Sequence, residues 1–220
     1  MNLTLFDLDG TLIPFDSDHA FGEFMARVGW VDATAFRSRN DAFYADYLAG
    51  TLDLAAYLDF ATSPWRSRPD AQAMRSRFVA EVLQPQLHPR ALALVREHQA
   101  AGELVAIVTA TNEFVTAPIA AAFGVEHLIA IRLEHDENGR PTGRMRGVAS
   151  FREGKITRVH EWLHGLGYRW DAFERVTFYS DSTNDLPLLE LVHQPVATNP
   201  GAALEQIARD RGWRILKLFE

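Results

Sequence analysis

The feature that most constrains the fold is a set of short, almost wholly apolar runs that recur along the chain. Three of them are clear, and they cover Leu3–Leu8, Leu104–Val108 and Val176–Tyr179. A strand with one face in water alternates apolar and polar residues, whereas a strand covered on both faces is a continuous apolar run. These runs therefore predict buried strands of a parallel sheet.

Helical patterns lie between these strands. Apolar residues recur at helical spacing from Pro89 to Ala101, with proline at the start and Gly102 directly after the end, as is typical of helix termini. Similar patterns cover residues 117–123, 155–166 and 202–208. Because strands and helices alternate, we expect an α/β fold whose Rossmann-like core holds a doubly wound, mostly parallel sheet.

Two segments depart from this alternation. Residues 15–83 show helical periodicity, are rich in aromatic side chains and contain no convincing strand. We interpret them as an all-helical cap inserted after the first strand, and residues 1–14 and 84–220 as a discontinuous α/β core. Residues 131–148 contain Asn138-Gly139 between two extended runs, a strong signal for a hairpin turn.

Polar side chains follow the predicted strands at the points where the strands end. Asp7 and Asp9 follow the first strand, Thr109 follows the second, and Asp181 and Asp185 follow the third. Ligands of open α/β sheets bind outside the carboxyl ends of the strands, so we expect these side chains to share one cleft. Residues two positions apart on an extended backbone point the same way, which directs both aspartates of the first strand into it.

Several carboxylates in one cleft repel each other unless a cation lies among them. Oxygen ligands without nearby nitrogen or sulphur donors are typical of Mg²⁺, which also uses substrate phosphate as a ligand. Lys155, at the start of a predicted helix, and the Thr109 hydroxyl are suited to bind phosphoryl oxygens. A remaining carboxylate can then attack phosphorus while a neighbouring acid protonates the leaving group.

Together these segments resemble the four ordered motifs of the haloacid dehalogenase superfamily of phosphohydrolases. The motifs are Phe6–Leu12, Thr109, Lys155 and Asp181–Asp185, and the resemblance covers essentially the whole core. It is closest to the phosphoserine phosphatase-like subgroup, in which a helical cap follows the first motif. Dehalogenases of the superfamily lack an acid at the position of Asp9, so its presence favours phosphate esters.

The resemblance implies a role for each matching residue. Asp7 would be the nucleophile and a Mg²⁺ ligand, and Asp9 the general acid/base, with its backbone carbonyl reaching the metal. Thr109 and Lys155 would bind the phosphoryl group. Asp181 would be a direct Mg²⁺ ligand.

Three further acidic residues lie in or near these motifs. Asp185 would orient the metal's waters or Lys155 without touching the metal. Asp16 lies where the subgroup carries an acidic residue that contacts a substrate amine, and Asp18 is close by. Either residue is also suited simply to cap the first helix of the cap.

The expected function is hydrolysis of a small phosphorylated metabolite through an aspartyl-phosphate on Asp7. Amine-bearing candidates are histidinol phosphate or phosphoserine, followed by phosphoethanolamine-like compounds. Ser180 and Thr109-Ala110-Thr111 replace glycines or other small residues usual in phosphoserine phosphatases, which weakens the case for phosphoserine. Two alternatives stay open: a phosphotransferase or mutase using the same intermediate, and a non-enzymatic module that accepts a phosphoryl group.

Charge and hydropathy restrict the partners. The net charge of −7, from 22 basic and 29 acidic residues, argues against a nucleic-acid partner. No run approaches the roughly 18 apolar residues of a membrane span. No basic leader precedes the first strand, and cysteine is absent. We therefore expect a cytoplasmic monomer or homodimer whose partner is a small phosphomonoester, with no membrane or nucleic acid involved.

Overall fold

A computed structural model describes residues 1–220 and contains eight strands. In chain order they are β1 (Asn2–Phe6), β2 (Leu104–Asn112), β3 (His127–Ile131), β4 (Leu133–His135), β5 (Pro141–Met145), β6 (Arg175–Ser180), β7 (Gln194–Thr198) and β8 (Arg214–Leu216). Six strands form one sheet in the order β3-β2-β1-β6-β7-β8, and every neighbouring pair is parallel. The prediction of a doubly wound parallel sheet is confirmed.

The strand order fixes where a ligand cleft belongs. From β1 the chain moves outward through β2 to β3, and it then returns to β6 on the other side of β1. Connections therefore leave β1 and β6 toward opposite sides, which opens a crevice at their carboxyl ends. The polar residues singled out in the sequence follow these same strands.

The chain forms nine α-helices. They are α1 (Ser17–Arg27), α2 (Ala33–Ala49), α3 (Leu54–Thr62), α4 (Ala71–Phe78), α5 (Pro89–Ala100), α6 (Glu113–Ala122), α7 (Glu153–Gly165), α8 (Leu186–Leu191) and α9 (Ala202–Arg211). None of them is long and apolar enough to cross a membrane.

The largest difference from the predicted helix boundaries is at the start of α6. The pattern placed a helix over residues 117–123, but α6 begins at Glu113 because the Asn112 side chain accepts hydrogen bonds from the Phe114 and Val115 amides. An asparagine in this position satisfies donors that lack a partner in the first turn. Pro118 lies inside the helix instead of marking its start.

Both faces of the sheet are covered by apolar side chains. Phe6, Ile107 and Tyr179 belong to one buried cluster, and their neighbours Leu5 and Phe178 belong to a second. Successive residues of a strand point to opposite faces, so the two clusters lie on the two sides of the sheet. This arrangement explains why the strand sequences are apolar without alternation.

The cap, residues 15–83, holds α1 to α4 and contains no strand of the sheet. Its side chains Phe21, Phe24 and Phe78 are buried in the same cluster as Val115 and Ile119 of α6. The cap is therefore packed against the α/β core through a shared apolar contact. That these residues form a domain of their own stays a prediction.

The predicted hairpin is present as the antiparallel pair β4 and β5. Its turn is fixed by Asp136, whose side chain accepts hydrogen bonds from the Asn138 and Arg140 amides, and by Gly139 at a φ of 74°. β5 lies against α3 of the cap. The hairpin is thus a second point of contact between the cap and the core.

Candidate active site

A buried lysine joins two of the predicted acidic residues. The Lys155 ammonium donates hydrogen bonds to Asp7 Oδ1 at 2.8 Å and to Asp185 Oδ2 at 2.7 Å, and all three residues are at most 4% exposed. The Ser180 hydroxyl donates to the same Asp185 oxygen at 2.7 Å. The structure thereby brings together residues that follow β1, begin α7 and precede α8.

The charges of this group oppose one another. Burial raises the pKa of Asp7 more than the Lys155 charge lowers it, and the charge of Asp185 adds to the rise, so that the pKa reaches about 7. Burial lowers the pKa of Lys155, but the carboxylates of Asp185 and Asp7 outweigh it and raise that pKa overall. The lysine therefore stays protonated at neutral pH.

Each carboxylate oxygen of Asp9 accepts one hydrogen bond. The Ser17 amide donates to Asp9 Oδ1 at 2.8 Å, and the Thr111 hydroxyl donates to Oδ2 at 2.9 Å. Burial raises the pKa of Asp9 to about 7, with a further rise from the Asp16 charge and an opposing effect of the hydrogen bonds from Ser17 and Thr111. A carboxyl group with such a pKa exchanges protons near neutral pH, as a general acid/base requires.

Thr111 and Thr109 lie on the same face of β2. Thr109 is 1% exposed, its hydroxyl accepts the Thr111 amide at 3.1 Å, and it lines the cleft that Asp7 and Asp9 also line. Thr111 was not singled out from the sequence as a site residue. The two-residue period of a strand could have identified it, because β2 continues through both threonines to Asn112.

Asp181 approaches the backbone of the first motif closely. The Thr11 hydroxyl donates to Asp181 Oδ1 at 2.9 Å and accepts the Asp181 amide at 3.0 Å. Gly10 has a φ of 71°, and a Cβ atom there would lie 2.3 Å from Asp181 Oδ2. Burial raises the pKa of Asp181 well above its ordinary value, and the Asp7 charge adds to this effect. Because a Cβ atom would clash with the Asp181 carboxylate, position 10 must be glycine for the two residues to lie this close.

The donors around this approach are suited to a hard cation. Asp7 is near enough for its charge to raise the pKa of Asp181, and no second lysine balances the two carboxylates. No group of three His, Cys, Asp or Glu side chains is arranged to hold a metal ion by itself. A cation here would take two carboxylates, a backbone carbonyl such as that of Asp9, and water. Such an oxygen-only set fits Mg²⁺.

The two acidic residues near the start of α1 lie in different surroundings. Asp16 lines the cleft and also caps α1, because its side chain accepts the His19 amide at 2.8 Å. Asp18 is 6% exposed, and the Asn112 side-chain amide lies 3.3 Å from both of its oxygens. Burial raises the pKa of Asp16 and that of Asp18 to about 6. Only Asp16 borders the cleft.

The cap side of the cleft is largely aromatic. The cleft has an empty volume of about 550 Å³ including its open mouth. From the core it is lined by Asp7 and Asp9 after β1, by residues 109–111 at the end of β2, and by Phe151. The side chains that line it from the cap are Asp16, His19, Asn40, Phe43, Tyr44, Tyr47, Leu52, Leu54 and Tyr57.

Comparison with known sequences identifies relatives over the whole chain. Residues 4–190 match the haloacid dehalogenase-like hydrolase family. A histidinol-phosphatase of Neisseria meningitidis is 42% identical over 98% of each chain. A phosphoserine phosphatase of Mycobacterium tuberculosis is 30% identical, over 96% of this chain and 68% of that protein.

Solved structures agree with these sequence matches. A protein of unknown function from Bordetella pertussis Tohama I is 47% identical, covers 99% of each chain and superposes with a TM-score of 0.94. A substrate-bound phosphoserine phosphatase, at 16% identity and a TM-score of 0.68 over 97% of this chain and 91% of that one, shares the fold. The predictions of the α/β fold and of a phosphatase are confirmed. The chain belongs to the family of haloacid dehalogenase-like hydrolases.

Proposed function

We propose that the protein is a Mg²⁺-dependent phosphomonoesterase that hydrolyses a small, amine-bearing phosphate ester through an aspartyl-phosphate on Asp7. The observation that carries this proposal is the buried contact of Lys155 with Asp7, beside the carboxyl group of Asp9. A carboxylate next to a fixed cation and a proton carrier has what phosphoryl transfer to the protein requires.

The first half-reaction forms the covalent intermediate. Lys155 hydrogen-bonds only Oδ1 of Asp7, so the second carboxylate oxygen is available to attack phosphorus. As the phosphorus–oxygen bond of the ester breaks, Asp9 donates its proton to the leaving alkoxide, and the alcohol departs. Lys155 and Thr109 bind the non-bridging phosphoryl oxygens and keep phosphorus in line with the attacking oxygen.

The second half-reaction restores the enzyme. Asp9, now a carboxylate, removes a proton from a water molecule that attacks phosphorus on the intermediate, and phosphate leaves with the Asp7 carboxylate regenerated. Asp7, Asp181 and the Asp9 backbone carbonyl would hold Mg²⁺, which when bound neutralises phosphoryl charge. Asp185 keeps the lysine in place through its 2.7 Å hydrogen bond.

Two properties of the cleft support an amine-bearing substrate. Asp16 borders it as a carboxylate that can pair with an ammonium group, and the rings of Tyr44, Tyr47 and Tyr57 offer faces for a cation or a flat ring. Histidinol phosphate has an amino group and an imidazole ring, and the relative at 42% identity is named a histidinol-phosphatase. We rank histidinol phosphate first and phosphoserine second.

The proposal extends to the organisation of the protein. Residues 15–83 act as a cap domain over a core of residues 1–14 and 84–220, and the enzyme works in the cytoplasm as a monomer or homodimer. Supporting this division, the cleft is lined from the cap on one side and, on the other, by core residues after β1 and at the end of β2.

A panel of phosphomonoesters tests the function. Phosphate release should be fastest with histidinol phosphate, slower with phosphoserine and phosphoethanolamine, stopped by a chelator and restored by Mg²⁺. An Asp16→Asn variant should lose the preference for amine-bearing esters. Release that is insensitive to chelation would contradict the metal site, and equal rates with esters lacking an amine would contradict the substrate class. In ¹⁸O-labelled water, unlabelled phosphate would indicate a phosphotransferase instead.

A further inference from the structure

Two residues of the core, Arg152 and Asn184, contact the C-terminal end of a cap helix. The Arg152 guanidinium donates a hydrogen bond from a terminal nitrogen to the Gly50 carbonyl, and its Nε donates to Asn184 Oδ1 at 3.3 Å. The Asn184 side-chain amide donates in turn to the Tyr47 carbonyl at 3.3 Å. Both acceptor carbonyls belong to the C-terminal end of α2, which ends at Ala49.

The Gly50 carbonyl lies just past the end of α2, and the Tyr47 carbonyl accepts both the Gly50 amide, at 3.0 Å, and the Asn184 side chain. The last carbonyls of a helix lack intrahelical partners and carry partial negative charge, so a guanidinium is a favourable neighbour. Gly50 takes a left-handed conformation at a φ of 73°, and a Cβ atom there would lie 2.5 Å from the Arg152 terminal nitrogen. A glycine at the helix end thus leaves the space that the arginine enters.

The backbone of Arg152 is strained. Its φ is 51° and its ψ is −127°, and only one other non-glycine residue, Asn199, has a positive φ. This conformation favours glycine, because a Cβ atom is crowded there. A glycine would adopt this backbone conformation with less strain than arginine does. The presence of arginine therefore indicates a role for its side chain.

The contacts adjoin the active site on both sides. Arg152 comes three residues before Lys155, and Asn184 directly precedes Asp185. The Tyr47 and Phe151 rings, whose centres are 6.0 Å apart, both line the cleft. α2 is therefore tied to the two chain segments that supply the buried lysine and its carboxylate partner.

We propose that Arg152 is a positioning residue which, with Asn184, forms a clasp on the Tyr47 and Gly50 carbonyls and holds the cap closed over bound substrate. The clasp fixes the C-terminal half of α2, and with it the Tyr47 side chain at the cleft. Its effect on turnover rests on the proposed phosphatase function, whereas its effect on the mobility of α2 does not.

An Arg152→Gly variant separates the clasp from folding, because it removes the guanidinium and also relieves the strained backbone. Its thermal stability should equal or exceed that of the wild type. With the best ester of the panel, KM should rise about tenfold while kcat stays within about threefold, the result of losing ground-state binding. The inhibition constant of inorganic phosphate should change less than about twofold, since phosphate alone does not reach the cap.

Two further variants sharpen the test. Arg152→Lys keeps the positive charge but lacks the fork that donates to two partners, so its KM should lie between those of the wild type and Arg152→Gly. Arg169→Ala removes an exposed arginine that pairs only with its neighbour Asp171, and its KM should match the wild type. An Arg152→Lys variant equal to the wild type would overturn the two-partner clasp.

Hydrogen exchange tests the clasp without any substrate. In Arg152→Gly, amides of residues 44–52 should exchange about tenfold faster than in the wild type, whereas those of α9 should not change. Unchanged KM together with unchanged exchange would overturn the proposal. So would an equal loss of affinity for ester and inorganic phosphate, which would make Arg152 a phosphate-binding residue. If Arg152→Gly does not fold, the exchange and KM of Arg152→Lys decide.

Discussion

Two buried clusters of charged residues lie at opposite ends of the central strands, and they differ in how their charges are balanced. At the carboxyl ends, Asp7 and Asp185 share one lysine, with two further aspartates close by. Before β2, at its other end, the single carboxylate of Glu103 accepts a hydrogen bond from Thr4 at 2.5 Å and one from Arg175 at 2.8 Å.

Their pKa values move in opposite directions. Burial raises the pKa of Glu103, but hydrogen bonds from Thr4, His98 and Arg175 outweigh it and bring the pKa to about 2. Burial raises the pKa of Asp7 to about 7 despite the lysine beside it. Uncompensated buried charge lowers stability, so a surplus of buried carboxylates indicates a functional site. A carboxylate whose charge is balanced by several hydrogen bonds indicates a structural role.

The strongest test of this contrast is Asp7→Asn. Removing the nucleophile should lower kcat by about 10³-fold or more. The variant should unfold at the same or a higher temperature than the wild type, because the amide removes a buried negative charge that lacks full compensation. Phosphate release measures the first effect. Thermal unfolding without added metal measures the second. Substantial residual activity would defeat the assignment of the nucleophile, and clear destabilisation would defeat the contrast.

Lys155→Met removes the cation of the active-site cluster, whereas Asp7→Asn removes one of its carboxylates. The variant leaves two buried carboxylates without a cation, so it should lower the free energy of unfolding by about 3–5 kcal/mol as well as abolish activity. Denaturant unfolding in the presence of chelator measures the loss. The double variant Lys155→Met/Asp7→Asn should recover part of it, since one unpaired charge is gone. A fully stable single variant would show that the lysine is not needed to balance the aspartates.

Much of the fold and of this site could be predicted because the signals are local. Apolar runs without alternation predicted the buried parallel strands, and the polar residues that end them predicted Asp7, Asp9, Thr109 and Asp181 at one edge. The start of α6 was less accurate, because the apolar pattern over residues 117–123 does not reveal the hydrogen bonds by which the Asn112 side chain caps the helix.

The remaining features depend on contacts between distant segments. In the Glu103 cluster, Thr4 lies 94 positions from His98 and 99 from Glu103, and Arg175 lies 72 positions from Glu103. The contact of Arg152 in the core with Gly50 in the cap spans 102 positions. No spacing rule links such residues, since only the folded chain brings them together. Thr111 is the exception, because its two-residue spacing from Thr109 is a local signal.

Glu103→Gln tests the structural cluster. The amide keeps the shape but loses the charge that strengthens the hydrogen bonds from Thr4 and Arg175, so the free energy of unfolding should fall by about 1–3 kcal/mol. Activity should stay within about twofold of the wild type, because Glu103 does not line the cleft. Denaturant unfolding and phosphate release measure the two effects. A loss of activity larger than the loss of stability explains would mean that the two clusters are not independent.

The smallest effect is the pH dependence of that stability difference. The pKa of Glu103 is lowered from 4.5 to about 2 in the folded protein, so its contribution is fully present above pH 4.5 and is lost as pH falls toward 2. The gap between wild type and Glu103→Gln should therefore be constant from pH 7 to about 5 and shrink below 4.5. Urea unfolding of both proteins at a series of pH values measures the gap. A gap that closes near neutral pH instead would assign the stabilisation to another group, and one that persists into strong acid would mean that the hydrogen bonds of Glu103 do not depend on its charge.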